Sequence, residues 1–247
     1  MEQERQYHDP ELAQFYDWDC PWTPDFDYFA SLVAGARSVL DLGCGTGIFT
    51  AELAARGADA VGVDPAAAML DIARARAGGD KVTWVEADAR RLGLGRRFEA
   101  VVMTGHAFQT LLTRDDRAAV LETIARHLEP RGRFFFDSRN PAAREWEDWT
   151  RKATYERREH PAFGKVERWN DARALNGPEL VEYKIHYRLS DGRTYSATSR
   201  LAFPSFQELS DLFAKACLSV DHWYGDALGG PICDGCPDLI PVGRLVT

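Results

Sequence analysis

An apolar run that passes directly into a glycine-rich loop is the most constraining feature of this sequence. Residues 39–50 have the sequence VLDLGCGTGIFT, in which apolar residues surround Asp41 and glycines follow at alternate positions. Glycine lets the backbone turn tightly and approach a ligand closely. We expect a buried strand, a loop and a helix, with the loop at the carboxyl end of the strand, where open parallel sheets bind ligands.

The same alternation of apolar runs and helical segments continues to residue 140. It predicts βαβ units and a mostly parallel sheet covered by helices on both faces, which is a Rossmann-like α/β fold; two closing strands near the C-terminus bring the sheet to seven strands. The predicted strands of this half are Ser38–Leu42, Ala60–Val63, Val82–Glu86, Ala100–Met103 and Gly132–Phe136. The predicted helices are Phe49–Arg56, Ala66–Ala77 and Asp115–Leu128, with two earlier helices beginning at Asp9-Pro10 and Thr23-Pro24.

The pattern changes after Asn140-Pro141. Two strand-like runs flank Asp191-Gly192, a dipeptide typical of hairpin turns, and residues 164–174 supply a third strand. Ser205 and Glu208 then resemble a capping box, and closing strands are predicted at Leu218–Tyr224 and Val242–Val246. We therefore expect residues 1–149 and 203–247 to form the core, with a helical N-terminal cover. Residues 150–202 form a small antiparallel β insertion that serves as a lid or a dimerisation element.

The overall charge bears on partners and location. The 247 residues carry a formal charge of −8, which disfavours a nucleic-acid partner. We find no apolar stretch long enough for a membrane span and no signal peptide at the N-terminus, so we predict a cytoplasmic protein.

Cysteines give no metal signature. The five are odd in number and scattered, which favours free thiols. Cys233 and Cys236 form one C-x-x-C pair, but a structural zinc site needs further ligands at matching spacing, so a surface loop is favoured and no metal is expected.

The glycine pattern separates two kinds of nucleotide-like cofactor. In the dinucleotide fingerprint G-x-G-x-x-G a third glycine would stand where this chain has Ile48. Asp41 precedes the loop, and its carboxylate would repel a pyrophosphate, which prefers bare amides and a helix N-terminus. S-adenosylmethionine has no phosphate and carries a sulfonium and an ammonium, so an acidic residue beside the loop suits it.

The motif VLDLGCGTG resembles the first motif of class I S-adenosylmethionine-dependent methyltransferases, in the small-molecule branch that includes type 11 and type 25 domains. The resemblance covers residues 36–140 well. It implies that the cofactor is bound by Asp41, Gly43, Cys44, Gly45, Gly47, Asp64, Asp88, Ala89 and Thr104. In that scheme Asp41 lies near the methionine end, Asp64 accepts hydrogen bonds from the ribose hydroxyls, and Asp88 with Ala89 contacts the adenine. Asp64 also suits a helix N-cap before Pro65, and Asp88 a solvated turn.

Methyl transfer is an in-line displacement in which positioning supplies up to about 7–11 kcal/mol. A general base is optional and contributes about 10²–10⁴-fold where the acceptor must lose a proton. His106, after the fourth strand, is the candidate base; a cofactor contact or plain packing are the alternatives. Gln109 and Tyr16 are candidate acceptor contacts, and packing within aromatic helices is the other interpretation of Tyr16.

Within that family, the layout is similar to N-methyltransferases of amino sugars, which usually have histidine where this chain has Gln109. We expect transfer of a methyl group to a small-molecule acceptor of unidentified chemistry. The alternatives are a non-catalytic S-adenosylmethionine-binding protein and a nicotinamide-dependent oxidoreductase. The expected partners are the small-molecule acceptor and a second copy of the chain, with neither nucleic acid nor membrane.

Overall fold

The computed structural model describes residues 4–175 and 179–246. Its helices are α1 Arg5–His8, α2 Pro10–Ala13, α3 Tyr16–Asp19, α4 Pro24–Leu32, α5 Ile48–Ala55, α6 Ala67–Ala75, α7 Arg114–His127, α8 Arg151–Thr154 and α9 Phe206–Lys215. Its strands are β1 Ser38–Leu42, β2 Asp59–Asp64, β3 Thr83–Glu86, β4 Phe98–Met103, β5 Leu128–Phe136, β6 Ser138–Arg139, β7 Glu156–His160, β8 Gly164–Ala174, β9 Leu180–Leu189, β10 Thr194–Ala202, β11 Leu218–Tyr224 and β12 Asp238–Leu245.

The main sheet has the order β3-β2-β1-β4-β5-β12-β11, with the short β6 paired to β12. The strands from β3 to β5 are parallel, whereas β12 runs antiparallel to both β5 and β11. Two apolar clusters cover its faces, one including Val101 and Phe136 and the other Val102 and Phe135. This arrangement confirms the predicted fold class, because a parallel sheet buried on both faces needs continuous apolar strands.

Most predicted elements occur within a few residues of their expected bounds. β1, β8 and β11 have the predicted bounds, and α2 and α4 begin at the two prolines. Asp9 caps α2 by accepting a hydrogen bond from the amide of Glu11. Ser205 accepts the amide of Glu208, as a capping box requires, while the Glu208 carboxylate bonds Arg117.

A second, antiparallel sheet of order β10-β9-β8-β7 lies within the predicted 150–202 segment. Sequence analysis did not predict β7, whose alternate residues Arg157 and Glu159 are exposed. Charged residues on a short edge strand are typical, because they discourage pairing with other chains. The boundaries of core and insertion, and the role of the segment as a lid or dimerisation element, stay predictions.

The N-terminal helices connect the two sheets. Phe15, at the start of α3, is buried and stacks on Tyr187 of β9, with ring centroids 4.2 Å apart. Asp19, at the end of α3, accepts a hydrogen bond from the Tyr187 hydroxyl and pairs with Arg158 and Arg168. The cover is thus bound to the second sheet by both an apolar cluster and a buried carboxylate.

No helix in residues 4–175 and 179–246 is long and apolar enough to cross a membrane.

Candidate active site

The glycine-rich loop is fixed to the end of β2 by three backbone amides. Gly43 and Cys44 donate to the carbonyl of Val63 over 2.7 and 3.1 Å, and Gly45 donates to Asp64 Oδ2 over 2.9 Å. Gly43 has φ 70°, and a Cβ there would lie 2.9 Å from that of Ala107. The loop therefore needs glycine at this position for both its conformation and its close packing.

Asp41 is buried beneath this loop. Its Oδ2 accepts a hydrogen bond from Thr50 Oγ1 over 2.6 Å, whereas Oδ1 has no partner among the described residues. Burial raises the pKa of Asp41 to about 7, Thr50 opposes this shift, and the charges of Asp64 and Asp137 add to it. An unpaired buried carboxylate oxygen is costly, so this arrangement suits a cationic ligand.

Asp64 performs the capping role that its position before Pro65 predicts. It is buried at the end of β2, where Oδ1 accepts the amide of Ala66 over 2.8 Å and Oδ2 accepts that of Gly45. Burial raises its pKa, and the two amides oppose that shift. Each carboxylate oxygen has a second lone pair, so the predicted ribose contact is compatible with these bonds.

The other predicted cofactor residues differ in how they are held. Gly47 has φ 74° and is the N-cap of α5, and burial raises the pKa of the Cys44 thiol. Thr104 is buried directly after β4. Asp88 lies two residues beyond β3 and accepts hydrogen bonds from Nε and Nη2 of Arg90. The remaining nitrogen of that guanidinium, Nη1, donates to Asp116.

Arg90 is the largest cause of the lowered pKa of Asp88. Ala89 opens the short turn that Asp88 caps. Asp88 is thus an ion-paired turn residue, and its adenine role stays a prediction.

Tyr16 lies over the opening between the glycine-rich loop and the loop that follows β4, which we call the mouth of the site. A Cβ on Gly45 would be 3.7 Å from its ring, and one on Gly105 would be 3.9 Å from its hydroxyl. Its ring meets Tyr7 edge-on at 6.1 Å. This segment covers both the β1 and β4 loops, as an N-terminal cover should.

A polar clamp fastens the cover next to Tyr16. Asp17 accepts from Thr46 Oγ1 and from Arg76 Nη2, each over 2.5 Å. Arg76 Nε also donates to the carbonyl of Thr46 over 2.9 Å. The cover is therefore bonded to the glycine-rich loop itself.

His106 occupies the opposite side of the mouth between two carboxylates. Its φ is 58°, and its backbone amide donates to both oxygens of Asp137 over 3.1 Å. Its Nε2 lies 3.0 Å from Asp238 Oδ1 and 3.6 Å from Asp137 Oδ2. Burial raises the pKa of Asp137, while nearby His106 lowers it. The backbone of His106 is in the left-handed conformation, and carboxylates hold both its amide and its ring. Strained backbone of this kind concentrates at functional sites.

Gln109 is fully buried, and both ends of its amide are engaged. Nε2 donates to the carbonyl of Ala202 over 2.9 Å, and Oε1 accepts from Arg139 Nη1 over 2.8 Å. A direct contact with an acceptor would have to break one of these bonds. Its predicted acceptor role is untested, and its observed contacts position Arg139.

Sequence analysis missed Asp137, Asp238 and Arg139. Asp137 directly follows the strand that ends in three phenylalanines, the same signal that identified Asp64 after β2. Asp238 gave no signal, because it reaches the site from the first position of an antiparallel strand.

The cysteines form no metal centre in the described part of the chain. Cys236 is buried with its thiol donating to the carbonyl of Asp238, whereas Cys233 is exposed. Within residues 4–175 and 179–246, no cluster of three or more histidine, cysteine or acidic side chains could hold a metal ion.

Comparison with known proteins identifies the segment that carries the loop. Residues 39–132 match the family model of a methyltransferase domain. This segment is therefore similar to methyltransferase domains. It contains the β1 to β4 loops and ends before Asp137 and Asp238.

Two curated relatives are similar to part of the chain. The chain is 40% identical over 106 residues to the cypemycin N-terminal methyltransferase of a Streptomyces species, covering 43% of each chain. It is 32% identical over 130 residues to the glycine/sarcosine N-methyltransferase of Halorhodospira halochloris, covering 50% of this chain and 48% of that one. The chain thus spans less than half the length of these two relatives.

The fold of the whole chain is also shared with a solved structure. The structure of the CcbJ methyltransferase from Streptomyces caelestis covers 100% of both chains with a TM-score of 0.82, at 24% identity. The second sheet and the N-terminal cover therefore belong to a known architecture.

Proposed function

We propose that this chain is an S-adenosylmethionine-dependent methyltransferase that methylates a nitrogen of a small-molecule amine. The carrying observation is that His106, held by Asp238 and Asp137, lies across the same sheet edge as the glycine-rich loop. Two relatives whose names specify N-terminal and N-methylation support a nitrogen acceptor.

The residues of the loop fit the cofactor. Bound S-adenosylmethionine supplies a methyl group on a positively charged sulfur, which makes that carbon electrophilic. The unpaired Oδ1 of Asp41 suits the ammonium at the methionine end, since a buried carboxylate is stabilised by an opposite charge. Asp64 keeps free lone pairs for hydroxyl donors, and Gly43 and Gly45 allow close approach of the backbone.

His106 removes the proton that an amine carries. An alkyl ammonium has no free lone pair at neutral pH, because its pKa is about 10. If Nε2–H donates to Asp238, the lone pair of the neutral imidazole is on Nδ1, which has no partner among the described residues. The carboxylates then stabilise the imidazolium that forms when Nδ1 takes the proton. This is the general-base role predicted for His106.

Cofactor titration and product release test the proposal together. We expect S-adenosylmethionine to bind, NAD and NADP to bind far more weakly, and S-adenosylhomocysteine to appear when primary and secondary amines are added. Binding without release from any amine, alcohol or thiol would favour a non-catalytic binding protein. Tight nicotinamide binding alone would favour the oxidoreductase.

Substitution of His106 tests its proposed role as the base. His106→Gln should slow methylation of amines, because it removes the base.

The cytoplasmic location, the homodimer and the exclusion of nucleic acid and membrane remain predictions.

A further inference from the structure

Arg139 lies directly across from the carboxylate that holds His106. In the pairing of β6 with β12, Arg139 is opposite Asp238. Opposed residues of antiparallel strands have Cβ atoms about 4.5–5.5 Å apart and project from the same face. Arg139 is also near Asp137, because its charge opposes the rise that burial causes in the pKa of that carboxyl. The guanidinium therefore belongs to the same wall of the site as the His106 cluster.

Three neighbours hold the guanidinium in one plane. Nη1 donates to buried Gln109 over 2.8 Å and Nε donates to Glu145 over 3.1 Å. The indole of Trp149 lies against the guanidinium, whose Cζ is 5.0 Å from the ring centroid. Such stacking and bidentate geometry are particular to arginine.

One edge of this guanidinium has no protein partner. Nη2, and the second hydrogen of Nη1, are unbonded within residues 4–175 and 179–246. The Arg139 side chain as a whole is 22% exposed, so it is only partly covered by protein. Burial raises the pKa of Cys20 to about 11, and the Arg139 charge opposes that shift. Arg139 likewise opposes the raised pKa of Tyr7, so its charge reaches the cover across the mouth.

The surrounding charge explains what such an edge selects. Asp137, Asp238 and Glu145 are close to Arg139, so an anionic group can bind here only where the guanidinium receives it directly. Two parallel N–H groups of a guanidinium match the two oxygens of a carboxylate. Because Asp238 bonds His106 and faces Arg139 across the strands, the anionic group and the reacting nitrogen must be close together in the acceptor.

We propose that Arg139 binds a carboxylate of the acceptor, so that the substrate class is an amine carrying a carboxylate on a nearby carbon, as in an amino acid. This inference rests on the proposed function, since it places a second recognition group beside the nitrogen that His106 deprotonates. Gln109 and Trp149 position the guanidinium, and Arg139 makes the contact.

Matched pairs of amines test the inference by binding and by turnover. The pairs are L-phenylalanine with 2-phenylethylamine, and L-proline with pyrrolidine. Calorimetry measures their binding to the full chain loaded with S-adenosylhomocysteine, and product release measures turnover with saturating S-adenosylmethionine. In the unsubstituted chain, the carboxylate member of each pair should bind at least about tenfold more tightly, as expected for a charge-assisted hydrogen bond.

Two variants and a control separate recognition from structure. Arg139→Gln should abolish the preference for the carboxylate member, and Arg139→Lys should retain part of it, since the charge stays and the fork is lost. Arg133→Gln, an exposed arginine on β5, should keep the full preference. Affinity for S-adenosylhomocysteine should be unchanged in all three, which shows that they are folded.

Equal binding within each pair, absence of binding by all four amines, or a preference that survives in Arg139→Gln would overturn the inference. The proposed function fails separately, if no amine of any kind releases S-adenosylhomocysteine although S-adenosylmethionine binds. A chain that methylates 2-phenylethylamine as well as L-phenylalanine keeps the proposed function and loses the inference.

Discussion

The two sides of the mouth are built in different ways. On the side of β1 and β2, carboxylates bond backbone amides and a hydroxyl, and one oxygen of Asp41 is left unpaired. On the side of β5 and β12, side chains bond other side chains, as in His106 with Asp238 and Arg139 with Gln109. The first side is a rigid cradle formed by neighbouring strands, and the second is a network assembled from distant segments.

This difference predicts which ligand each side controls. Backbone amides remain when a side chain is replaced by anything except proline, so a cradle that depends on them suits a cofactor whose structure never changes. A side-chain network can be altered residue by residue, which suits an acceptor that differs between related enzymes. Substitutions on the first side should therefore change cofactor affinity, and those on the second should change turnover.

His106→Gln should have the largest effect. Loss of the base should lower kcat by about 10²–10⁴-fold, while the affinity for S-adenosylmethionine stays within about twofold. Steady-state kinetics and calorimetry measure the two quantities. His222→Gln, on the exposed surface of β11, is the matched control and should change neither kcat nor the affinity for S-adenosylmethionine. A large loss of cofactor affinity in His106→Gln would abolish the distinction between the two sides.

Asp41→Asn should weaken S-adenosylmethionine binding by about 10–100-fold, because a buried charged partner of the ammonium is lost. Burial raises the pKa of Asp41 to about 7 in the free protein, so binding a cation below that pH releases a proton. Affinity should thus rise by up to about tenfold per pH unit as the pH increases towards 7, and level off above it.

Calorimetry in two buffers of different ionisation enthalpy counts the released protons. Asp41→Asn should release none, whereas Asp59→Asn, an exposed residue of β2, should behave as the unsubstituted chain does. Equal proton release with and without Asp41 would assign the pH dependence to another group.

The free protein should show the opposite dependence in its own stability. The folded pKa of Asp41 lies above the ordinary value of 3.8, so its contribution is fully present below about pH 4 and is lost as the pH rises to about 7. Between about pH 4 and pH 7, the free energy of unfolding measured with denaturant should fall less in Asp41→Asn than in the unsubstituted chain. An unchanged pH profile would mean that Asp41 is ionised in the folded state.

Asp238→Asn should lower kcat by about tenfold, less than removal of the base itself. Asparagine can still accept from His106 Nε2, but the charge that stabilises the imidazolium is lost, and charged hydrogen bonds are about twice as strong as neutral ones. Asp234→Asn, exposed in the preceding loop, is the control. The role of Asp238 is refuted if the two variants have the same kcat.

Arg76→Ala should have the smallest effect, a loss of about 1–2 kcal/mol in the free energy of unfolding. The pair with Asp17 is partly exposed, but Arg76 also donates to the Thr46 carbonyl, so the loss exceeds that of an ordinary surface ion pair. Arg74→Ala removes an exposed pair of the same helical segment and should cost less than about 0.5 kcal/mol. Equal losses would show that the clamp contributes nothing beyond its charges.

The same contrast explains what the sequence could predict. Asp41, Asp64 and the loop glycines lie at the ends of consecutive strands, so local patterns locate them and topology brings them together. His106 was identified for the same reason. Asp238 and Arg139 depend on the pairing of β6 with an antiparallel β12, which no local pattern encodes. The buried amide of Gln109 likewise depends on Ala202, far along the chain.

The position of Asp238 in the chain also determines when this part of the site is made during translation. During translation the glycine-rich loop and His106 are made first, whereas Asp238 is more than a hundred residues after His106. At about 5–20 residues per second, that interval is on the order of ten seconds. The nascent chain therefore has its glycine-rich loop well before it has the partner of His106, and the proposed catalytic network is among the last parts of the site to be completed.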